Sequence, residues 1–178
     1  MKYVALLRGV NVGNSVRVPM KVLKATLEGL GLTDVVTYLN SGNAVFSSSR
    51  SAQDLTRQLE EEFERSFGEK IPTLVKTGAE VVAIAESIPS EWGSGGGEQT
   101  YVAYLFSDVD RPELVSELPV KREFMTIFYT PGAIVWNIKR EDYNRSHITK
   151  IAGHSSYTRM TTRNVNTARK LAALCGES

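Results

Sequence analysis

Apolar positions from Tyr3 to Leu7 follow one another without alternation, which predicts a strand covered on both faces and therefore central in its sheet. The run stops at Arg8 and opens into a loop holding Gly9 and Gly13. Pro19 suits the first turn of a helix, and Met20, Leu23, Leu27 and Leu30 then recur at helical spacing until Gly31. Val35 to Leu39 reads as a strand, Asn40-Ser41-Gly42-Asn43 as a tight turn, and Ala44 to Ser47 as the returning strand. Ser51 and Asp54 resemble a capping box opening a helix whose apolar face is Leu55, Leu59, Phe63 and Phe67. After Gly68, Ile71 to Lys76 is a fourth strand. The order strand, helix, strand, strand, helix, strand is that of the split βαβ, ferredoxin-like unit.

A similar rhythm follows. Thr77 and Glu80 cap a short helix through Val81, Ile84 and Ile88, which Pro89 ends, and residues 93–97 read as a flexible glycine-rich loop. Tyr101 to Phe106 is a strand, Asp110 and Glu113 start a helix through Leu118, and Phe124 to Tyr129 with Ala133 to Ile138 forms a hairpin around Pro131-Gly132. Helices are expected over Tyr143–Ile151 and Asn166–Leu174. No final strand is evident. The expected fold is α+β, two ferredoxin-like halves at 1–77 and 78–178, with the second incomplete or elaborated and ending in helices.

Topology supplies geometry at this point. In a split βαβ unit the first two strands run parallel, joined by a crossover helix. The exit of the first strand and the turn after the second then share one end of the sheet, which brings Arg8–Gly13 close to Asn40–Asn43 as a pocket rim.

The chain of 178 residues carries a net charge of only +1, but the charge is unevenly spread. Residues 1–24 hold Lys2, Arg8, Arg17, Lys21 and Lys24 and no acid. Residues 139–178 hold eight basic and three acidic groups, so the middle of the chain is strongly acidic. Such asymmetry makes a local positive field if the two ends meet. A single cysteine, Cys175, the lack of a signal-peptide pattern and the absence of a membrane-length apolar run predict a cytoplasmic protein with no membrane partner.

Leu6-Leu7-Arg8-Gly9-Val10-Asn11-Val12-Gly13, followed by Arg17-Val18-Pro19-Met20, resembles the opening signature of the bacterial family of unknown function DUF1697. Ser41-Gly42-Asn43 before an apolar strand resembles its second motif, and Thr162-Arg163-Asn164-Val165-Asn166-Thr167 with Lys170-Leu171 its C-terminal motif. Asn14 stands where the family usually has a second glycine, and Val165 where it usually has an aromatic. The resemblance implies a two-subdomain α+β fold and supplies positions, but no chemistry.

The sharpest chemical reading is an anion site. Thr161 to Asn166 precede or open the last helix, whose N-terminal amides and dipole favour negative charge, and Arg163 offers a bidentate fork. Equally, Thr162 or Asn164 could serve only as the helix cap. The candidate ligand-binding residues are Arg8, Asn11, Gly13, Arg17, Ser41, Asn43, Arg163, Asn164 and Asn166, and the expected partner is a small anionic ligand, phosphorylated or not. The glycine spacing fits neither a dinucleotide fingerprint nor a P-loop, so no cofactor is expected. His147 and His154 are separated by a helix-breaking Gly153, and no metal is expected. No general base stands out, which leaves catalysis open. A nucleic-acid-associated module is the alternative, although Asn43-Ala44-Val45-Phe46 has one aromatic where an RNA-reading strand needs more. A protein–protein adaptor is the third option, and the sequence does not fix an oligomeric state.

Overall fold

The computed structural model describes residues 1–176. They form two compact units, Met1–Val82 together with the segment from Leu171, and Ala83–Lys170. The sequence division after residue 77 stands beside a structural division at Val82.

The first unit contains β1 (Lys2–Leu7), α1 (Met20–Gly29), β2 (Thr33–Thr37), β3 (Asn43–Ser47), α2 (Ala52–Phe67) and β4 (Thr73–Thr77), followed by the start of α3 (Gly78–Glu86). Its sheet has the order β2-β3-β1-β4, with β1 central and antiparallel to both neighbours, which is the ferredoxin-like arrangement. Alternation along β1 divides two faces. Tyr3, Ala5 and Leu7 join Leu23 and Leu27 of α1 and Leu55, Leu59 and Phe63 of α2 in one core. Burying Leu55, Leu59 and Phe63 contributes roughly 1.5–3 kcal/mol each against the extended chain. Ser51 accepts the amide of Asp54 at 3.1 Å and caps α2, and Gly68 ends it at φ 77°, as the capping pattern predicts. Val4 and Leu6 point to the other face and are also fully buried, which explains the uninterrupted apolar run. The end of the last helix, α5 (Val165–Gly176), returns to this face: Lys2 Nζ donates to the Leu174 carbonyl at 3.1 Å. A Cβ placed on Gly78 would lie 3.2 Å from the Cβ of Cys175.

The second unit repeats the sheet. It contains β5 (Glu98–Leu105), α4 (Leu114–Glu117), β6 (Thr126–Thr130), β7 (Ala133–Lys139) and β8 (Met160–Asn164), in the order β6-β7-β5-β8. Two expectations are corrected here. The missing final strand is present as β8, paired antiparallel with β5 from Leu105↔Met160 to Tyr101↔Asn164. The helices expected over 110–118 and 143–151 are reduced to the four residues of α4 and to short 3-10 turns at 107–109, 140–142, 148–153 and 155–159. The second half departs from the first in its helices, and its sheet is whole.

The glycine run also differs from expectation. Gly95 and Glu98 exchange backbone hydrogen bonds of 2.9 and 3.2 Å, the Gly93 amide donates to Glu98 Oε1 at 2.9 Å, and Thr100 Oγ1 donates to the Gly93 carbonyl at 2.7 Å. It is a braced turn leading into β5, and it lies wholly within the second unit.

Candidate functional site

Where β1 ends, three segments of the first unit are stitched together. The Leu7 amide donates to the Gly42 carbonyl and the Arg8 amide to the Pro72 carbonyl, both at 2.9 Å. This places Arg8 and the 38–42 turn at one end of one sheet, as the strand order predicts. Gly42 has no room for a side chain: a Cβ there would sit 2.8 Å from Leu7 Cβ and 2.9 Å from Val10 Cγ2, and its φ of 86° favours glycine as well.

Asn11 holds the loop in shape. It adopts a left-handed φ of 58°, which asparagine tolerates better than most residues. Its Nδ2 donates to the carbonyls of Val18 (2.9 Å) and Asn40 (2.7 Å), and its Oδ1 accepts the Val18 amide at 2.8 Å. The Asn11 amide donates to the Val16 carbonyl at 3.0 Å. Asn43 does comparable work in the neighbouring turn: it is fully buried, and its Nδ2 donates to the Tyr38 carbonyl at 2.7 Å and to Ser41 Oγ at 2.8 Å. Both amides, predicted to face a ligand, are engaged by backbone carbonyls and act as braces.

The groups directed outward are different. Arg17 is exposed and anchored by an Nη2 bond of 2.8 Å to the Gly13 carbonyl, while Arg8 is half-buried. Among the described residues, the backbone amides of Gly9, Gly13 and Asn14 donate to no protein group, and all three residues are exposed. The glycines at 9 and 13 already mark this in sequence as a loop able to turn its amides towards a ligand; which amides are left over, and that the Asn11 side chain is spent on backbone carbonyls, only the backbone geometry reveals.

Arg163, Asn164 and Asn166 belong to the second unit. Arg163 does not stand in a helix N-terminal turn: it is on β8, opposite Val102, with only 7 % of its surface exposed. Its Nη1 donates to Thr161 Oγ1 at 2.8 Å and to the Thr162 carbonyl at 3.1 Å. Burial pushes its pKa down to about 10, partly offset by the nearby Tyr104, so the guanidinium is charged at neutral pH. Asn164 accepts the Asn166 amide on Oδ1 at 2.8 Å and donates from Nδ2 to Ser94 Oγ at 2.7 Å. This is the capping role that the sequence leaves open for it.

His154 accepts the Ser156 amide on Nδ1 at 3.1 Å and serves as a cap for a 3-10 turn. His147 lies at φ 60°. Among the described residues no three His, Cys, Asp or Glu side chains gather closely enough to hold a metal ion, and no helix is long and apolar enough to cross a membrane.

A family model described as "Protein of unknown function (DUF1697)" matches residues 1–136. The solved structure of a conserved bacterial protein from Streptococcus pneumoniae superposes with a TM-score of 0.83 at 26% identity, covering 98% of each chain. No curated protein matches the chain.

Proposed function

Because the chain belongs to the DUF1697 family, described only as a protein of unknown function, we propose a function from its own loops: the first unit binds a small anion at the end of its sheet. A phosphate or a phosphorylated metabolite is the ligand class. The observation that carries this reading is the braced loop after β1, in which the exposed Gly9, Gly13 and Asn14 have amides that donate to no protein group among the described residues, with Arg17 anchored on the Gly13 carbonyl. Loop order is supplied by Asn11, so little conformational entropy is lost on binding. The surrounding stretch, residues 1–24, has five basic groups and no acid. Arg163 takes no part in this reading, since its side chain is buried and its Nη1 is bonded to Thr161 Oγ1 and the Thr162 carbonyl. A bacterial cytoplasmic setting fits the single cysteine, whose thiol burial raises above its usual pKa.

Thermal shift and calorimetric titration with inorganic phosphate, AMP and a single-stranded oligonucleotide test the proposal. Phosphate or AMP should raise the melting temperature, and Arg17→Ala should weaken binding about fivefold to tenfold with no change in the unliganded melting temperature. Absence of any phosphate-dependent shift overturns it. Binding confined to the oligonucleotide, with affinity falling steeply as salt rises, transfers the site to nucleic acid.

A further inference from the structure

The first unit carries a concavity to which no residue of the Gly9–Val18 loop contributes. A cleft of about 510 Å³ is lined by Lys2, Lys24, Glu28, Asp34, Val36 and Leu174 among others, a volume within the range of small-ligand sites. Its floor is apolar. Val36 and Val45 are cross-strand partners on the face of the sheet away from α1 and α2, and Leu174 arrives from the end of α5.

Charges of both signs line the cleft without neutralising one another. Among the described residues, Lys24, Glu28 and Asp34 form no ion pair, although Lys24 and Glu28 are one turn apart on α1. Lys2 is held by its bond to the Leu174 carbonyl. Asp34 has a left-handed φ of 53°, which aspartate adopts more readily than most residues, and sits in the register break of β2 between Thr33 and Val36. Bulges of this kind re-aim a side chain. β2 is also the edge of its sheet, so among the described residues no strand pairs with its outer side.

From this juxtaposition we infer that the cleft binds a short peptide with free ends and apolar side chains, laid beside β2. Lys24 and Lys2 receive the carboxylate, Asp34 and Glu28 receive the ammonium, and Val36, Val45 and Leu174 receive the side chains. The edge of β2 offers backbone groups of the kind used in strand addition.

The test is an NMR titration of the full chain with L-leucyl-L-leucine, following the methyl signals of Val36, Val45 and Leu174. Those signals should shift, and the N-acetylated and C-amidated dipeptides should each bind at least fivefold more weakly. Asp34→Asn, which keeps a residue tolerant of the left-handed backbone, should weaken the free dipeptide and leave the N-acetylated form unaffected. Lys24→Met should do the same for the carboxylate end. Arg17→Ala should leave the dipeptide titration unchanged, which separates this cleft from the anion loop. Unmoved methyl signals, capped peptides that bind as well as the free one, or loss of binding in Arg17→Ala overturn the inference.

Discussion

The side-chain amide of Asn11 donates to the carbonyl of Asn40 at 2.7 Å, and that bond ties the loop after β1 to the turn before β3. Asn11→Ala removes it along with the two bonds to Val18, and places a Cβ-bearing residue without a polar side chain at φ 58°. The expected loss is about 3 kcal/mol of unfolding free energy. Asn11→Gly, which tolerates the backbone but loses the bonds, should lose less. Urea denaturation of the two variants separates the contributions.

Gly42 and Gly13 both have positive φ, yet they should respond differently to substitution. A methyl at Gly42 meets Leu7 and Val10 at under 3 Å, whereas one at Gly13 meets nothing within 4 Å. Gly42→Ala is expected to destabilise by more than about 3 kcal/mol, combining strain and overpacking, and Gly13→Ala by about 1 kcal/mol. The difference between their denaturation midpoints checks this, and equal effects would contradict the packing described.

Arg163→Ala should behave as a core mutation. It empties buried volume and withdraws the donor to Thr161 Oγ1 and the Thr162 carbonyl. A loss of about 2–4 kcal/mol is expected, against about 0.5 kcal/mol or less for Arg17→Ala on the surface. Chemical denaturation of both variants measures the contrast. A neutral Arg163→Ala would place its side chain in solvent.

Glu98 supplies a pH signature for the braced turn. Its bonds from Asn137 Nδ2 and the Gly93 amide hold its carboxyl below the ordinary 4.5, with the side-chain bond the larger cause. The folded state therefore binds fewer protons than the unfolded chain in this region. The contribution is present above about pH 4.5 and is lost as pH falls through the depressed folded value. Carboxyl NMR should show the Glu98 midpoint below 4.5 in the native protein and moving upward in Asn137→Ala. An unmoved midpoint would remove Asn137 as the cause.

The first half is legible in the chain because each local signal agrees with the fold. Leu55, Leu59 and Phe63 repeat at helical spacing behind a Ser51 cap, and Tyr3–Leu7 is apolar on both faces because both faces are buried. β8 is hidden for the opposite reason. Of its buried residues only Met160 is apolar, while Thr161 and Arg163 are polar and bonded to one another, so Met160–Asn164 lacks the apolar alternation by which a strand is recognised. The 3-10 turns between β7 and β8 keep helix-like apolar positions in Ile148 and Ile151 without an α-helical ladder, which hydrophobic spacing alone does not distinguish. At the site, the loops are placed correctly by strand order. The roles within them are not, because an asparagine that bonds backbone carbonyls and one that bonds a ligand look identical in sequence.

The return of α5 to the first sheet sets an order of assembly during synthesis. Lys2 and Gly78 are translated well before Leu174 and Cys175, which meet them. The second unit is contiguous, Ala83–Lys170, and has its whole sheet available before the first unit has its final turn. The nascent first sheet must therefore wait with part of one face uncovered while its partner unit is translated. A ribosome stalled just short of Leu171 would hold a first sheet that still lacks its Lys2–Leu174 bond and the approach of Cys175 to Gly78.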